Sequence, residues 1–86
     1  MIGEPNNTDR ATWARKALNV FAKTTFSGSS FDELLLVDNS TEGDAYCAAQ
    51  DFISDLLHLA QQLGWDAADL IRCGVGNFEE ELAEAQ

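Results

Sequence analysis

Apolar positions recur at helical spacing in three stretches of the chain. In the first, Trp13, Ala14, Ala17, Leu18 and Phe21 each have another of the set three or four residues away, while Arg10, Arg15, Lys16, Asn19 and Lys23 stay polar. That is the pattern of an amphipathic helix. Thr8 stands where an N-cap belongs, and Asp9 places a negative charge in the first turn, where the helix dipole favours it. The helix is predicted to end near Lys23. The second stretch is the most regular. Ala45, Ala49, Phe52, Ile53, Leu56, Leu59, Ala60 and Leu63 form a wide apolar stripe on a helix from about Glu42 to Leu63, and Gly64 follows where a left-handed stop belongs. Asp66 is the predicted cap of a third helix, whose Leu70, Ile71, Val75, Phe78 and Leu82 are expected to face the core. Gly74 and Gly76 each cost that helix about 1 kcal/mol relative to alanine, which leaves room for a kink or early fraying.

The connecting segments are less regular. Phe26 to Ser30 has turn chemistry. Phe31 to Val37 fits two descriptions: Ser30 with Glu33 makes a capping box for a short helix, and the compact Leu34–Val37 run suits a strand. Helix is preferred, because a lone strand has no partner here. Asp38 to Gly43 is a polar turn with Ser40 or Thr41 as the next cap, and Met1 to Asn7 lacks periodicity and reads as a loose tail. The expected fold is all-α: one domain over residues 1–86, a small bundle of three main helices with an irregular or short-helical segment between the first and second.

Length narrows the function. Eighty-six residues can bury one modest core but cannot also wrap a deep, water-excluding active site. No apolar run approaches the roughly 18 residues of a membrane helix. Met1 to Asp9 has no apolar signal-peptide region, and Cys47 and Cys73 accordingly read as reduced thiols of a cytoplasmic protein. Charge narrows it further. The formal net charge is −10, unevenly spread. Residues 1–23 carry four bases against two acids, +2, and residues 24–86 carry Arg72 alone against thirteen acids, −12. Such a body repels phosphate, so direct binding to nucleic acid or an anionic membrane is disfavoured and a basic protein surface is favoured.

Several motifs look like chemistry. Asp38-Asn39-Ser40-Thr41-Glu42-Gly43-Asp44 matches the first half of a calcium loop, but its twelfth position is Ala49 instead of a bidentate glutamate, so the segment reads as a capped turn. Cys47 and His58 share nearly one helix face yet lie about 16 Å apart along the axis and cannot share a proton. Cys73 could approach His58 across the hairpin, but no third, orienting group is indicated. With one histidine and no Cys-x-x-Cys, no zinc site is assigned. Gly74-Val75-Gly76 lacks the strand and third glycine of a nucleotide fingerprint, and Ser27-Gly28-Ser29-Ser30 reads as a turn. Asp51 and Asp55, one turn apart, would need a third acid to hold magnesium. Asp55 to Glu81 is faintly similar to the closing helices of MazG-type nucleotide pyrophosphatases, although the paired-glutamate first motif is absent and the first helix carries bases where acids would be needed.

The acidic faces carry the stronger reading. On the second main helix Asp44, Asp51 and Asp55 fall with His58 and Gln62 in one narrow band opposite the apolar stripe. On the third, Glu79, Glu80, Glu81 and Glu84 crowd the carboxyl-terminal end, where they oppose the helix dipole at about 0.3–1 kcal/mol each. A solvated, solubilising face would look similar. The functional reading is a surface that imitates the phosphate rows of nucleic acid. From Asp51 to Glu81, the pattern Asp55-Leu56-Leu57-His58, Ala60, Leu63-Gly64, Asp66, Leu70 and Phe78-Glu79-Glu80 resembles small acidic helical proteins of phages, plasmids and other bacterial mobile elements, over about a third of the chain. The chain departs from the commoner pattern at Cys73 to Gly76. The resemblance implies a setting in which small acidic proteins, anti-CRISPR inhibitors among them, disarm host defence. The expected function is non-enzymatic: an inhibitor whose Asp44, Asp51, Asp55, Glu79, Glu80, Glu81 and Glu84 occupy the basic groove of a nucleic-acid-binding machine such as a CRISPR effector. No catalytic residue, cofactor or metal is assigned, and the oligomeric state is left open. The alternatives are an antitoxin-like or regulatory partner of one cognate protein, and a MazG-like, metal-dependent nucleotide hydrolase.

Overall fold

Four helix starts divide the chain, and three of them place a side chain where it accepts one of the helix's first free N–H groups. The structure, a computed structural model, describes residues 5–26 and 28–85. Four helices hold those residues: α1 (Asn7–Thr25), α2 (Phe31–Val37), α3 (Asp44–Gln62) and α4 (Ala67–Glu84). No strand occurs among the described residues. The all-helical expectation holds, but the helix count rises from three main elements to four, because the ambiguous Phe31–Val37 segment is a capped helix of its own. Ser30 Oγ accepts from the Glu33 N–H, and the Glu33 carboxylate accepts from the Ser30 N–H in return. That local exchange decides against the strand.

The caps of the long helices show where the sequence reading was one step off. The N-cap of α1 is Asn6, not Thr8: Asn6 Oδ1 accepts from the Asp9 N–H at 2.9 Å, and the Asp9 carboxylate accepts from the Asn6 N–H at 3.2 Å. Of the expected tail, residues 1–4 lie outside the described residues, Pro5 and Asn6 precede the helix, and Asn7 opens it. The N-cap of α3 is Gly43 instead of Ser40 or Thr41, with no side chain capping it. Ser40 is occupied earlier in the turn: its N–H donates to Asp38 Oδ1 at 2.9 Å, and its hydroxyl accepts from the Glu42 N–H at 3.2 Å. Gly64 ends α3 as expected, at φ +80°. The Trp65 N–H reaches the Ala60 carbonyl at 2.9 Å and the Gly64 N–H the Gln61 carbonyl at 3.1 Å, a Schellman stop. Asp66 caps α4 as expected, accepting from the Asp69 N–H at 3.0 Å. Helix α4 then runs unbroken through Gly74 and Gly76, so it does not fray there.

Two carboxylates record these turns in their titration. Glu33 is held below the usual glutamate range by the backbone and hydroxyl of Ser30, and Asp38 below the aspartate range by the backbone and hydroxyl of Ser40. A lowered folded-state pKa contributes stability above the unfolded value, which is lost as pH falls through the folded one. The α2 cap and the 38–43 turn should therefore loosen only on the acid side of the ordinary carboxylate range. In a carboxylate-detected NMR titration, Ser30→Ala, which removes the hydroxyl but keeps the backbone N–H that contributes most, should return Glu33 part of the way toward its usual value while leaving Asp38 in place; an unchanged Glu33 would show that the Ser30 hydroxyl contributes nothing to it.

Gly43 explains why the calcium-like loop contains a glycine. It is buried, and a Cβ there would lie 2.7 Å from the Asp38 carbonyl oxygen and 2.9 Å from the Asp38 Cβ. The glycine lets the turn close on itself. Backbone at that distance cannot swing away, so Gly43→Ala should cost about 1–3 kcal/mol. Thermal unfolding checks this, and an unchanged midpoint would show that the 38–43 turn relaxes freely.

Packing is where the structure departs most from expectation. Helices α1, α2 and α3 pack on one another, and α4 leaves α3 at the Leu63–Asp66 corner to meet the start of α1 through its far end. The sealed apolar residues are Ala22, Ala45, Ala48 and Ala60, and no large side chain among the described residues is fully buried. Phe21 and Phe52 meet edge to face between α1 and α3, ring centres 5.2 Å apart and planes at 73°. The contact face of α1 is thus centred on Leu18, Phe21 and Ala22, and Trp13 and Ala17 are exposed. Leu70 is half-buried, and Ile71, Val75, Phe78 and Leu82, expected in the core, are exposed. The reason is geometric: α4 touches its neighbours near its two ends, and nothing lies along its apolar side.

Candidate interaction surface

Asp44, Asp51 and Asp55 project from α3 along one flank, and all three are exposed. Helical rise spaces them by about 10 Å and then about 6 Å. Asp44 sits in the first turn of α3, where the dipole favours its charge. On α4, Glu79, Glu80 and Glu84 are exposed as well. Glu80 and Glu84, one turn apart, fall on the side of the helix away from Ile71, Val75, Phe78 and Leu82, while Glu79 flanks that apolar stripe.

The seven acids singled out in the sequence do not share one environment. Glu81 is half-buried; Arg10 Nε donates to its carboxylate at 2.9 Å, and the Asn7 side-chain amide donates to its backbone carbonyl at 3.2 Å. Its carboxylate therefore ties α4 to α1. Two further acids are engaged within the chain. Asp32 accepts from Arg15 Nε at 2.7 Å and from Asn19 Nδ2 at 3.0 Å, and Asp69 binds Arg72 one turn along α4. Among the described residues, Asp44, Asp51, Asp55, Glu79, Glu80 and Glu84 take part in no ion pair. Six exposed carboxylates on two helices are left without a cation. Two of the four bases of α1, Arg10 and Arg15, are spent on Glu81 and Asp32, so the basic helix serves partly to hold α4 and α2.

The other motifs stay apart. No three His, Cys, Asp or Glu side chains come together in a metal-holding group among the described residues. Asp51 and Asp55 thus stand as a pair without a third acid. Cys47 and Cys73 are free and exposed, and Cys73 Sγ lies 4.0 Å from Asp69 Oδ2. His58 lines a shallow, open hollow of about 540 Å³ with Ser54, Gln61, Trp65 and Asp66, whose carboxylate is occupied in capping α4. No described helix is long and apolar enough to cross a membrane.

The sequence reading missed a second surface. Leu36 and Val37 on α2, Trp13 and Val20 on α1, Ile53, Leu56 and Leu59 on α3, and Ile71, Val75, Phe78 and Leu82 on α4 are exposed. Periodicity marked most of them as apolar, but it could not show that nothing covers them. No family model matches the chain, and neither a curated protein nor a solved structure does.

Proposed function

We propose that the chain is a non-enzymatic binding protein that inhibits a nucleic-acid-binding machine by placing its acidic α3 and α4 faces in that machine's basic groove. The observation that carries this reading is the set of six exposed carboxylates without ion-pair partners among the described residues: Asp44, Asp51, Asp55, Glu79, Glu80 and Glu84. Charge of one sign held on rigid helices steers a partner of opposite sign and penalises every partner of like sign. Helices also fix the spacing of the charges, as the backbone of nucleic acid fixes its phosphates. The absence of Glu81 from this set narrows the contact to the outward carboxylates. A CRISPR effector is one machine with such a groove, and the bacterial mobile-element resemblance of Asp51 to Glu81 supports it.

The test is capture from bacterial lysate on immobilised chain, with elution by rising salt and by added DNA or RNA. A nucleic-acid-binding protein released by both is the expected result. A captured protein that resists both salt and nucleic acid would overturn the mimicry and favour an antitoxin-like pairing through apolar contacts.

A further inference from the structure

The apolar stripe of α3 is longer than the helices that cover it. Ala45, Ala49, Phe52, Leu56, Leu59 and Leu63 recur at alternating steps of four and three, the spacing of a seam between two helices. Its first half is covered by α1 and α2: Ala45 is sealed, and Ala49 and Phe52 are half-buried. Its second half is open, with Leu56 at 40 %, Leu59 at 50 % and Leu63 at 53 % exposure. On α4, Ile71, Val75, Phe78 and Leu82 repeat the same steps, and Val75 and Phe78 stand 50 % and 61 % exposed. Two seams thus meet at the Leu63–Asp66 corner, both without an opposing helix.

The molecule's surface shows how much is missing. Its accessible area is 6649 Å², whereas a compact monomer of this mass exposes about 5,000 Å². The excess is well above the roughly 800 Å² that each partner buries in a standard interface. The radius of gyration, 14.6 Å, likewise exceeds the value of about 12 Å for a compact chain of this length. A stable dimer covers surface on that scale, and the exposed large apolar residues of α3 and α4 are part of it.

We propose that the chain self-associates as a two-fold dimer, the open half of the α3 seam and the α4 seam packing on the same seams of a second copy. A two-fold axis brings each patch onto itself, so one continuous seam serves both sides. The charges beside the α4 seam fit an antiparallel crossing near Val75 and Phe78. Arg72, the one base after Lys23, and Glu79 lie seven residues apart on the same flank, and the two-fold sets Arg72 of each copy against Glu79 of the other. Glu80 and Glu84 remain outward. The proposal shares only Glu79 with the acidic-face reading, whose other five carboxylates stay outside the seam, and salt separates the two. Each copy carries −10, so screening should strengthen the dimer while weakening attraction to a basic partner.

Sedimentation equilibrium of the full chain, at low and high salt over a range of concentrations, tests this. The expected mass is twice the 9.4 kDa of the chain, with association tighter at high salt. Val75→Glu with Phe78→Glu buries unpaired charge at the crossing and should weaken the dimer more than about a hundredfold, with helical circular dichroism retained. Should that variant unfold, Arg72→Glu still weakens pairing, and Arg72→Glu with Glu79→Arg restores it. A wild-type mass of one chain at every concentration, a mass above two chains, or a dimer that none of these changes weakens would overturn the proposal.

Discussion

Asp51→Lys with Asp55→Lys is expected to abolish binding to the captured partner while the chain stays folded. Both side chains are exposed and outside every cap and ion pair of the described residues, so their replacement should change stability by no more than about 0.5 kcal/mol each. The pair changes the local charge by four units on one turn of α3. Against a basic groove, each attraction becomes a repulsion, and like charges brought together cost several kcal/mol. Glu80→Lys with Glu84→Lys makes the same test on α4. Titration calorimetry of both pairs across a salt series, with and without competing nucleic acid, measures the effect. Full-strength binding by both pairs would leave the acidic faces as solvated surface and move the interface to the exposed apolar residues.

Ala48→Leu should damage the fold strongly. Ala22, Ala45 and Ala48 are sealed where α1, α2 and α3 meet, at 0 %, 1 % and 0 % exposure. Small side chains let the helices approach closely, and the Phe21–Phe52 contact depends on that approach. Three added carbons have no void to enter, so the helices must separate, at about 1–3 kcal/mol. In a domain of this size each kcal/mol lowers the melting midpoint by roughly 4–8 °C. Ala68→Leu, at an exposed position of α4, is the control and should leave the midpoint nearly unchanged. Equal midpoints for both variants would mean that the α1–α3 contact is loose.

These two expectations rest on different kinds of residue. The acidic faces were legible in the sequence because a charge on a helix is exposed unless something pairs with it, and the helical repeat alone places Asp44, Asp51 and Asp55 on one flank. Glu81 was not separable from its neighbours in the same way. Its partner Arg10 lies 71 positions earlier, and only the return of α4 to the start of α1 brings them together.

The helices and their ends were set by local chemistry. Ser30 with Glu33, Asp66 before α4 and Gly64 after α3 act on backbone groups within a turn or two, so a short window of sequence contains both partners of each bond. Thr8 was the expected first cap, but the backbone geometry of the folded chain gives that role to Asn6, two residues earlier. Burial belongs to the tertiary structure alone. The stripes of α3 and α4 show which face is apolar, but whether a face is covered depends on where other helices dock, and that is fixed by contacts far apart in sequence. The alanines at the α1–α3 crossing are sealed because helices meet there, while Leu59, Val75 and Phe78 stay open because, within one chain, no helix reaches them.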